Sequence, residues 1–208
     1  MVLVKICGIT NLDDALAAVD AGADALGFNF YQRSPRYISA ETARAIIERL
    51  PAEVLTVGVF VNEELEVVER TASVAGVSAL QLHGTESPDY CKALKGRHLI
   101  KVFATHAEFA PNTVLNYDVQ SIMLDAVDRK RFGGTGKVSN WSIARQTREL
   151  FPRLFLAGGL SAENVGEAIE QVDPYAVDAC SLLEVAPGRK DQAKVRDFVA
   201  AAREATRS

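Results

Sequence analysis

The chain has 208 residues, of which 48% are hydrophobic and 24% charged, and its net charge is -4. This composition is typical of a globular domain with one sizeable core, and no apolar run approaches the ~20 residues of a membrane span. The mild acidity gives no electrostatic basis for binding nucleic acid. Three cysteines without metal-ligand spacing argue against a disulfide framework. The cysteine usage and the lack of a basic leader ahead of the first apolar run together favour a cytoplasmic protein. We expect no metal and no membrane or nucleic-acid partner.

Eight apolar runs predict β-strands, because each is short and bounded by polar or turn residues. Between most of them, apolar residues recur at helical spacing, beginning with Leu12, Leu16 and Val19 after a candidate helix cap at Thr10. This alternation of strand and helix patterns is typical of βα units around a parallel sheet. The runs lie at residues 2–6, 25–30, 54–61, 79–82, 99–103, 121–124, 154–157 and 176–179.

Eight βα units in 208 residues predict an α/β protein, a single compact (β/α)8 TIM barrel over residues 1–208, near the lower size limit of that fold. One unit is weak, because residues 105–118 include Pro111, Asn112 and Asn116 and lack amphipathic periodicity. We therefore expect the fifth helix to be short or replaced by a loop. An open doubly wound sheet is the alternative, but no dinucleotide-binding fingerprint supports it.

Glycines follow two late strands. A Gly-Gly-Thr-Gly run at residues 133–136 comes after the sixth strand, and a glycine pair comes after the seventh. Barrels often bind phosphate with the loops after strands seven and eight, where glycine lets backbone N–H groups approach an anion. Each pair alone would be read as a tight turn, but their clustering beside a hydroxyl favours an anion site. The candidate phosphate-binding residues are Gly134, Gly158, Gly159 and Ser181.

A candidate acid and a candidate base end two strands that would face each other across the barrel mouth. Cys7 ends the first strand, and Lys5 points to the same side because side chains alternate along a strand. A nearby ammonium favours the thiolate, which makes Cys7 a usable base. Asp125 ends the sixth strand, where a carboxyl group leaves an apolar run to face the mouth.

Each of these residues also has a structural interpretation. Asp125 could cap a helix or loop, and Cys7 could be a small buried apolar side chain. Lys5 could instead pair with Asp178, which also points inward by alternation. The structural interpretation is the one preferred for Cys91 and, largely, for Cys180.

Two further polar residues are candidates for substrate binding. Arg36 lies in Ser-Pro-Arg-Tyr after the second strand, and an arginine can hold a carboxylate through two parallel hydrogen bonds. A solvated surface arginine is the alternative. His83 follows Gln81-Leu82 and is expected to be a polar wall residue of the mouth.

Taken together, these segments resemble the phosphoribosylanthranilate isomerase family of tryptophan biosynthesis. The resemblance implies a (β/α)8 barrel and an Amadori rearrangement of N-(5-phosphoribosyl)anthranilate to its deoxyribulose phosphate isomer, with no cofactor or metal, in a monomer or homodimer. It implies that Asp125 is the general acid, that Cys7 is the general base and that Arg36 binds the anthranilate carboxylate, with His83 and Asp178 also at the substrate. The matching stretches are residues 4–10, 27–28, 34–36, 81–84, 124–125, 133–136, 156–160 and 177–178.

The chain departs from this family after the eighth strand. Cys180 and Leu182 stand where the family has a serine and a glycine, which puts one hydroxyl and one close-approach position of the phosphate site in doubt. Two alternatives stay open. One is a histidine-pathway isomerase acting on another phosphoribosyl amine, although that family has paired aspartates where this chain has Cys7. The other is an inactive phosphate-binding barrel.

Overall fold

A computed structural model describes residues 1–105, 108–125 and 141–206 of the chain. Eight parallel strands close a barrel in chain order, and the last strand pairs with the first. The predicted fold is therefore confirmed. The strands are β1 Leu3–Cys7, β2 Ala25–Asn29, β3 Leu55–Phe60, β4 Ala79–Leu82, β5 His98–Ala104, β6 Ser121–Asp125, β7 Leu154–Leu156 and β8 Ala176–Ala179.

Helices surround this barrel, and a short antiparallel hairpin, β9 Glu184–Ala186 and β10 Arg189–Lys190, follows β8. In the described part of the connection from β5 to β6, the one helical element is the 3₁₀ helix Pro111–Asn116, which confirms the prediction of a short fifth unit. Within the described residues, no helix has the length and apolar character needed to cross a membrane. The α-helices are α1 Leu12–Asp20, α2 Ala40–Ile47, α3 Leu65–Ala75, α4 Pro88–Ala93, α5 Trp141–Leu150, α6 Val165–Val172 and α7 Gln192–Ala205.

The start of α1 differs from the prediction. Asn11, not Thr10, caps the helix, and its side-chain oxygen accepts a hydrogen bond from the Asp14 N–H at 2.9 Å. The Thr10 hydroxyl instead donates to the Gly188 carbonyl at 2.5 Å, in the turn of the β9–β10 hairpin. The hydroxyl thus ties the first βα loop to the segment that follows the last strand.

The barrel has an apolar interior and a polar mouth. Side chains from alternate strand positions fill the interior, and a second apolar core lies between the strands and the helices. Alternation then places the next inward residues, such as Lys5 on β1 and Gln81 on β4, above this cluster toward the C-terminal ends of the strands. The interior cluster comprises Val57, Ala79, Ile100, Val102, Met123, Phe155, Ala157 and Ala176.

Candidate active site

A buried ion pair forms the floor of the mouth on the β1–β8 side. Lys5 and Asp178 are aligned in the strand register, and Lys5 Nζ lies 2.6 Å from Asp178 Oδ1. Burial raises the pKa of the Asp178 carboxyl, and the Lys5 ammonium opposes that shift. For Lys5, burial alone would lower the pKa, but Asp178 and Cys7 outweigh it and raise the value. Lys5 is therefore a cation that serves both the ion pair and the thiol above it.

Cys7 lies one inward position above Lys5 and is 9% exposed. The pKa of its thiol is lowered well below the ordinary value, chiefly by a hydrogen bond from the Cys180 thiol. Burial opposes this shift, while the charges of Lys5 and Lys190 add to it. The lowered pKa favours the thiolate form of Cys7 at the end of β1.

Gly27 on the neighbouring strand makes room for this arrangement. A Cβ atom at Gly27 would lie 2.7 Å from Cys7 Sγ and 3.1 Å from Lys5 Nζ, and the first separation is shorter than real Cβ contacts. Any side chain at this position of β2 would displace the sulfur.

Cys180 is not the small apolar side chain that the sequence favoured. It is half-buried, and its sulfur lies 3.9 Å from Glu184 Oε1 and 3.8 Å from Lys190 Nζ. The pKa of its thiol is raised well above the ordinary value by the hydrogen bond to Cys7, and burial adds to the shift. The opposite directions of the two shifts come from the same contact between the thiols, and the charge of Lys190 favours a thiolate at either one.

Arg36 lies over the same side of the mouth and already holds a protein carboxylate. Its Nε donates to Glu184 Oε1 at 2.8 Å, and its Nη2 donates to Glu184 Oε2 at 2.6 Å. Lys190 Nζ also donates to Glu184, at 3.0 Å. Gly8 allows the arginine stem to approach, because it has a φ of +77° and a Cβ there would lie 2.8 Å from Arg36 Cδ. The cluster fixes the guanidinium, and these bonds to Glu184 use its Nε and Nη2 atoms rather than Nη1.

The opposite wall carries the candidate acid. Asp125 ends β6, three strands from β1, and its Oδ2 lies 3.3 Å from His83 Nε2. His83 Nδ1 lies 3.2 Å from the side-chain amide nitrogen of Gln81, which donates to it. His83 thus lies between Gln81 and Asp125, with one ring nitrogen close to each side chain. The histidine therefore orients the carboxyl group.

A buried pair supports the loop behind His83. Lys101 Nζ lies 2.8 Å from Glu86 Oε2 and also donates to the backbone carbonyls of Leu82 and Gly84. Glu86 in turn accepts the Gly84 N–H. The loop that carries His83 is thus fixed from behind by charge-assisted hydrogen bonds.

The candidate phosphate loops are only partly within the described residues, because Gly134 lies outside them. Gly158 and Gly159 have φ values of +90° and +68°, a conformation that favours glycine. The Asn164 side chain donates to the Gly159 carbonyl at 2.8 Å and fixes this turn.

The chain after β8 forms a short 3₁₀ helix, Ser181–Leu183, of the kind barrels use beside phosphate. Leu182 is 40% exposed and is not among the described residues with positive φ. The loop therefore accommodates the leucine without the strained conformation that a replaced glycine could have imposed.

Sequence reasoning overlooked two residues of the site, Glu184 and Lys190. Both belong to the β9–β10 hairpin, whose strands are too short to produce an alternating pattern. Cys180 could have been found, because it follows Asp178 by two positions just as Cys7 follows Lys5. Because side chains alternate along a strand, an inward Lys5–Asp178 pair predicts that Cys7 and Cys180 also point inward. No group of three His, Cys, Asp or Glu suited to a metal occurs among the described residues.

The chain matches one known protein family over nearly its whole length. The family model for N-(5'phosphoribosyl)anthranilate (PRA) isomerase matches residues 4–201. The N-(5'-phosphoribosyl)anthranilate isomerase of Trichlorobacter lovleyi is 49% identical over 205 residues, which is 99% of this chain and all of the relative.

Solved structures of this family have the same fold as this chain. Phosphoribosyl anthranilate isomerase from Thermotoga maritima has a TM-score of 0.93 at 45% identity, over 98% of this chain and 100% of that one. A structure of phosphoribosyl anthranilate isomerase with reduced 1-(o-carboxyphenylamino)-1-deoxyribulose 5-phosphate has a TM-score of 0.88 at 43% identity, with the same coverage. The chain therefore belongs to the N-(5'-phosphoribosyl)anthranilate isomerase family of aldose–ketose isomerases.

Proposed function

We propose that the chain catalyses the Amadori rearrangement of N-(5-phosphoribosyl)anthranilate to 1-(2-carboxyphenylamino)-1-deoxyribulose 5-phosphate in L-tryptophan biosynthesis. One arrangement carries the proposal: the Cys7 thiol, whose pKa is lowered beside Lys5 and Lys190, and the Asp125 carboxyl end strands that lie three apart around the barrel. An acid and a base on opposite sides of one small substrate are what this rearrangement requires.

Asp125 acts first, as the general acid. It protonates the ribose ring oxygen, the bond from that oxygen to C1 breaks, and the sugar opens to a protonated Schiff base. His83 Nε2, 3.3 Å from Asp125 Oδ2, keeps the other carboxyl oxygen directed at the ring.

Cys7 acts second, as the general base. Its thiolate removes the proton from C2, and the electrons of that bond move into the C1–C2 bond and neutralise the Schiff-base nitrogen. The resulting enolamine gains a proton at C1 and loses one from the C2 hydroxyl, which gives the ketone. A thiol with an ordinary pKa of about 8.5 would be only slightly ionised at neutral pH, so the lowered pKa of Cys7 supports this role.

The two ends of the substrate have separate anchors. The Nη1 edge of Arg36 is proposed to hold the anthranilate carboxylate, with Glu184 occupying the other edge. The turn at Gly158 and Gly159, with Ser181, is proposed to hold the phosphate. The compound in the similar complex carries the matching groups, a carboxyphenyl amine and a phosphate.

Asp178 is proposed to act beneath the substrate, through its ion pair with Lys5. Gly134 remains a predicted phosphate contact. The cytoplasmic location and the monomeric or homodimeric state remain predictions.

Turnover of the fluorescent substrate by purified variants tests the proposal. Cys7→Ala and Asp125→Asn should each fold and lose roughly a hundredfold to ten-thousandfold in kcat, as expected for removal of a general base or acid. Cys91→Ala is the matched control, because Cys91 is a buried thiol on α4 away from the mouth. Near-normal kcat in Cys7→Ala would remove that residue from the mechanism, and a change confined to KM in Asp125→Asn would make it a binding residue. Turnover of the histidine-pathway amine alone would favour the alternative isomerase.

A further inference from the structure

The two thiols at the mouth are neighbours across the seam between β1 and β8. The register pairs Lys5 with Asp178 and Ile6 with Ala179, so the residues that follow this pairing are Cys7, the last of β1, and Cys180, the first after β8. Neighbouring strands lie about 4.8 Å apart, within the roughly 4.4–6.8 Å between Cα atoms that a disulfide spans. One inward step below, the Lys5 and Asp178 side chains meet at 2.6 Å, so both thiols point to the same side.

The thiols also have the surroundings of a reactive pair. The Cys180 thiol is the main cause of the lowered pKa of Cys7, and the Lys190 ammonium lies 3.8 Å from Cys180 Sγ. Lys5 adds a second cation beside Cys7, and cations stabilise the thiolate that reacts with oxidants. Cys91 is the contrast, because it is 1% exposed and burial raises the pKa of its thiol.

We propose that Cys7 and Cys180 form an oxidation site that closes as an intramolecular disulfide when the enzyme meets hydrogen peroxide. The site arises from the cysteine that this chain has at position 180, next to the proposed base. Its effect on turnover rests on the proposed function of Cys7, whereas the disulfide itself does not.

The chemistry balances in two steps. The Cys7 thiolate attacks one peroxide oxygen, the O–O bond breaks, and the leaving hydroxide takes up a proton to become water, which leaves a sulfenic acid on Cys7. The Cys180 sulfur then attacks the Cys7 sulfur, the S–O bond breaks, and the departing hydroxide leaves as water with the Cys180 proton. Two thiols are oxidised by two electrons, and one peroxide is reduced to two waters.

The disulfide would stop turnover reversibly. It removes the thiolate that is proposed to take the C2 proton, and it protects Cys7 from further oxidation to the sulfinic acid, which thiols do not reduce. Dithiothreitol should therefore restore the activity of the oxidised enzyme.

Peptide mapping of the peroxide-treated full chain tests the proposal, because trypsin separates the three cysteines into residues 6–33, 71–92 and 154–189. After free thiols are blocked, peptide 6–33 should appear joined to peptide 154–189 with the loss of two hydrogens. This species should accumulate as turnover falls, and dithiothreitol should reverse both changes. Oxidised Cys7 without this linked species, or a link to peptide 71–92 instead, would overturn the proposal.

Two variants sharpen the result. Cys180→Ser should give no linked peptide and should lose its own starting activity irreversibly, because its Cys7 proceeds to the sulfinic acid. Cys91→Ser should behave as the parent in mass and in recovery. Full recovery of Cys180→Ser after the same treatment would count against a protective disulfide.

The test separates this proposal from the proposed function. A linked peptide with unchanged turnover would support the oxidation site and refute Cys7 as the base. If Cys7→Ala is inactive and the parent enzyme forms no linked peptide, the result would support Cys7 as the base and refute the oxidation site.

Discussion

Replacing Gly27 with alanine adds one methyl group where Cys7 and Lys5 share the space beside β2. The new Cβ would lie 2.7 Å from Cys7 Sγ, and ordinary contacts begin at 3.4 Å, so the sulfur or the strand must move by about 0.7 Å. Gly27 is not among the glycines with positive φ, so alanine fits the backbone and the effect is confined to packing.

The magnitude follows from that displacement. Overpacking a rigid interior costs about 1–3 kcal/mol, which we expect as the loss in free energy of unfolding. A catalytic group misplaced by about 1 Å loses on the order of a hundredfold in rate, so 0.7 Å should lower kcat by roughly ten- to a hundredfold. KM should change less, because the atoms nearest to the new Cβ belong to Cys7 and Lys5 and not to the proposed carboxylate and phosphate anchors.

Urea unfolding and steady-state turnover measure the two effects. Gly166→Ala is the matched control, because this glycine lies in α6 and the nearest atom to its new Cβ is 3.9 Å away. Alanine there should stabilise the protein by about 0.5–1 kcal/mol without changing kcat. If Gly27→Ala kept both the parent stability and the parent kcat, the tight packing around the thiolate would not matter for the reaction.

Three further variants follow from the site. Cys180→Ala removes the thiol that chiefly lowers the pKa of Cys7. Since the proposed base is the thiolate, the rising limb of the pH profile of kcat/KM should move to higher pH in this variant, and Cys180→Ser should restore it. The same rising limb in the parent and both variants would contradict this role of Cys180. Lys5→Met leaves Asp178 buried without its partner and should lower the free energy of unfolding in urea by about 3–5 kcal/mol. The double variant Lys5→Met/Asp178→Leu should recover much of that loss, and no recovery would show that the unpaired carboxyl group is not its cause. Arg36→Met should weaken substrate binding by about 1.5–3 kcal/mol, while an aniline competitor without the carboxylate should bind both enzymes equally.

The fold could be predicted because parallel barrel strands are buried on both faces and appear as continuous apolar runs. The predicted runs at residues 79–82 and 176–179 coincide with β4 and β8, and the others differ from their strands by one residue at one or both ends. The cap of α1 could not be predicted from the local pattern. Thr10 satisfies the pattern as well as Asn11 does, and the choice depends on Gly188, far along the chain.

The site was predictable where strand alternation determines direction. Lys5, Cys7 and Asp178 point inward as alternation requires, and Lys5 turned out to combine the two roles that the sequence left as alternatives. Glu184 and Lys190 reach the mouth through a hairpin that has no periodic signal. The sequence pattern cannot indicate that Arg36, which was predicted to bind a ligand carboxylate, already binds the carboxylate of Glu184 through Nε and Nη2.

The seam between β1 and β8 also bears on how the nascent chain acquires its site. The Lys5–Asp178 pair joins residues 173 positions apart, so it contributes strongly to contact order. At about 5–20 residues per second, the ribosome needs roughly 9–35 seconds to deliver Asp178 after Lys5. Until then, β1 is an unpaired sheet edge whose lysine has no counter-ion. Docking of β8 closes the barrel and gives Lys5 its counter-ion, and the hairpin that follows β8 then brings Lys190 to the site of Cys7.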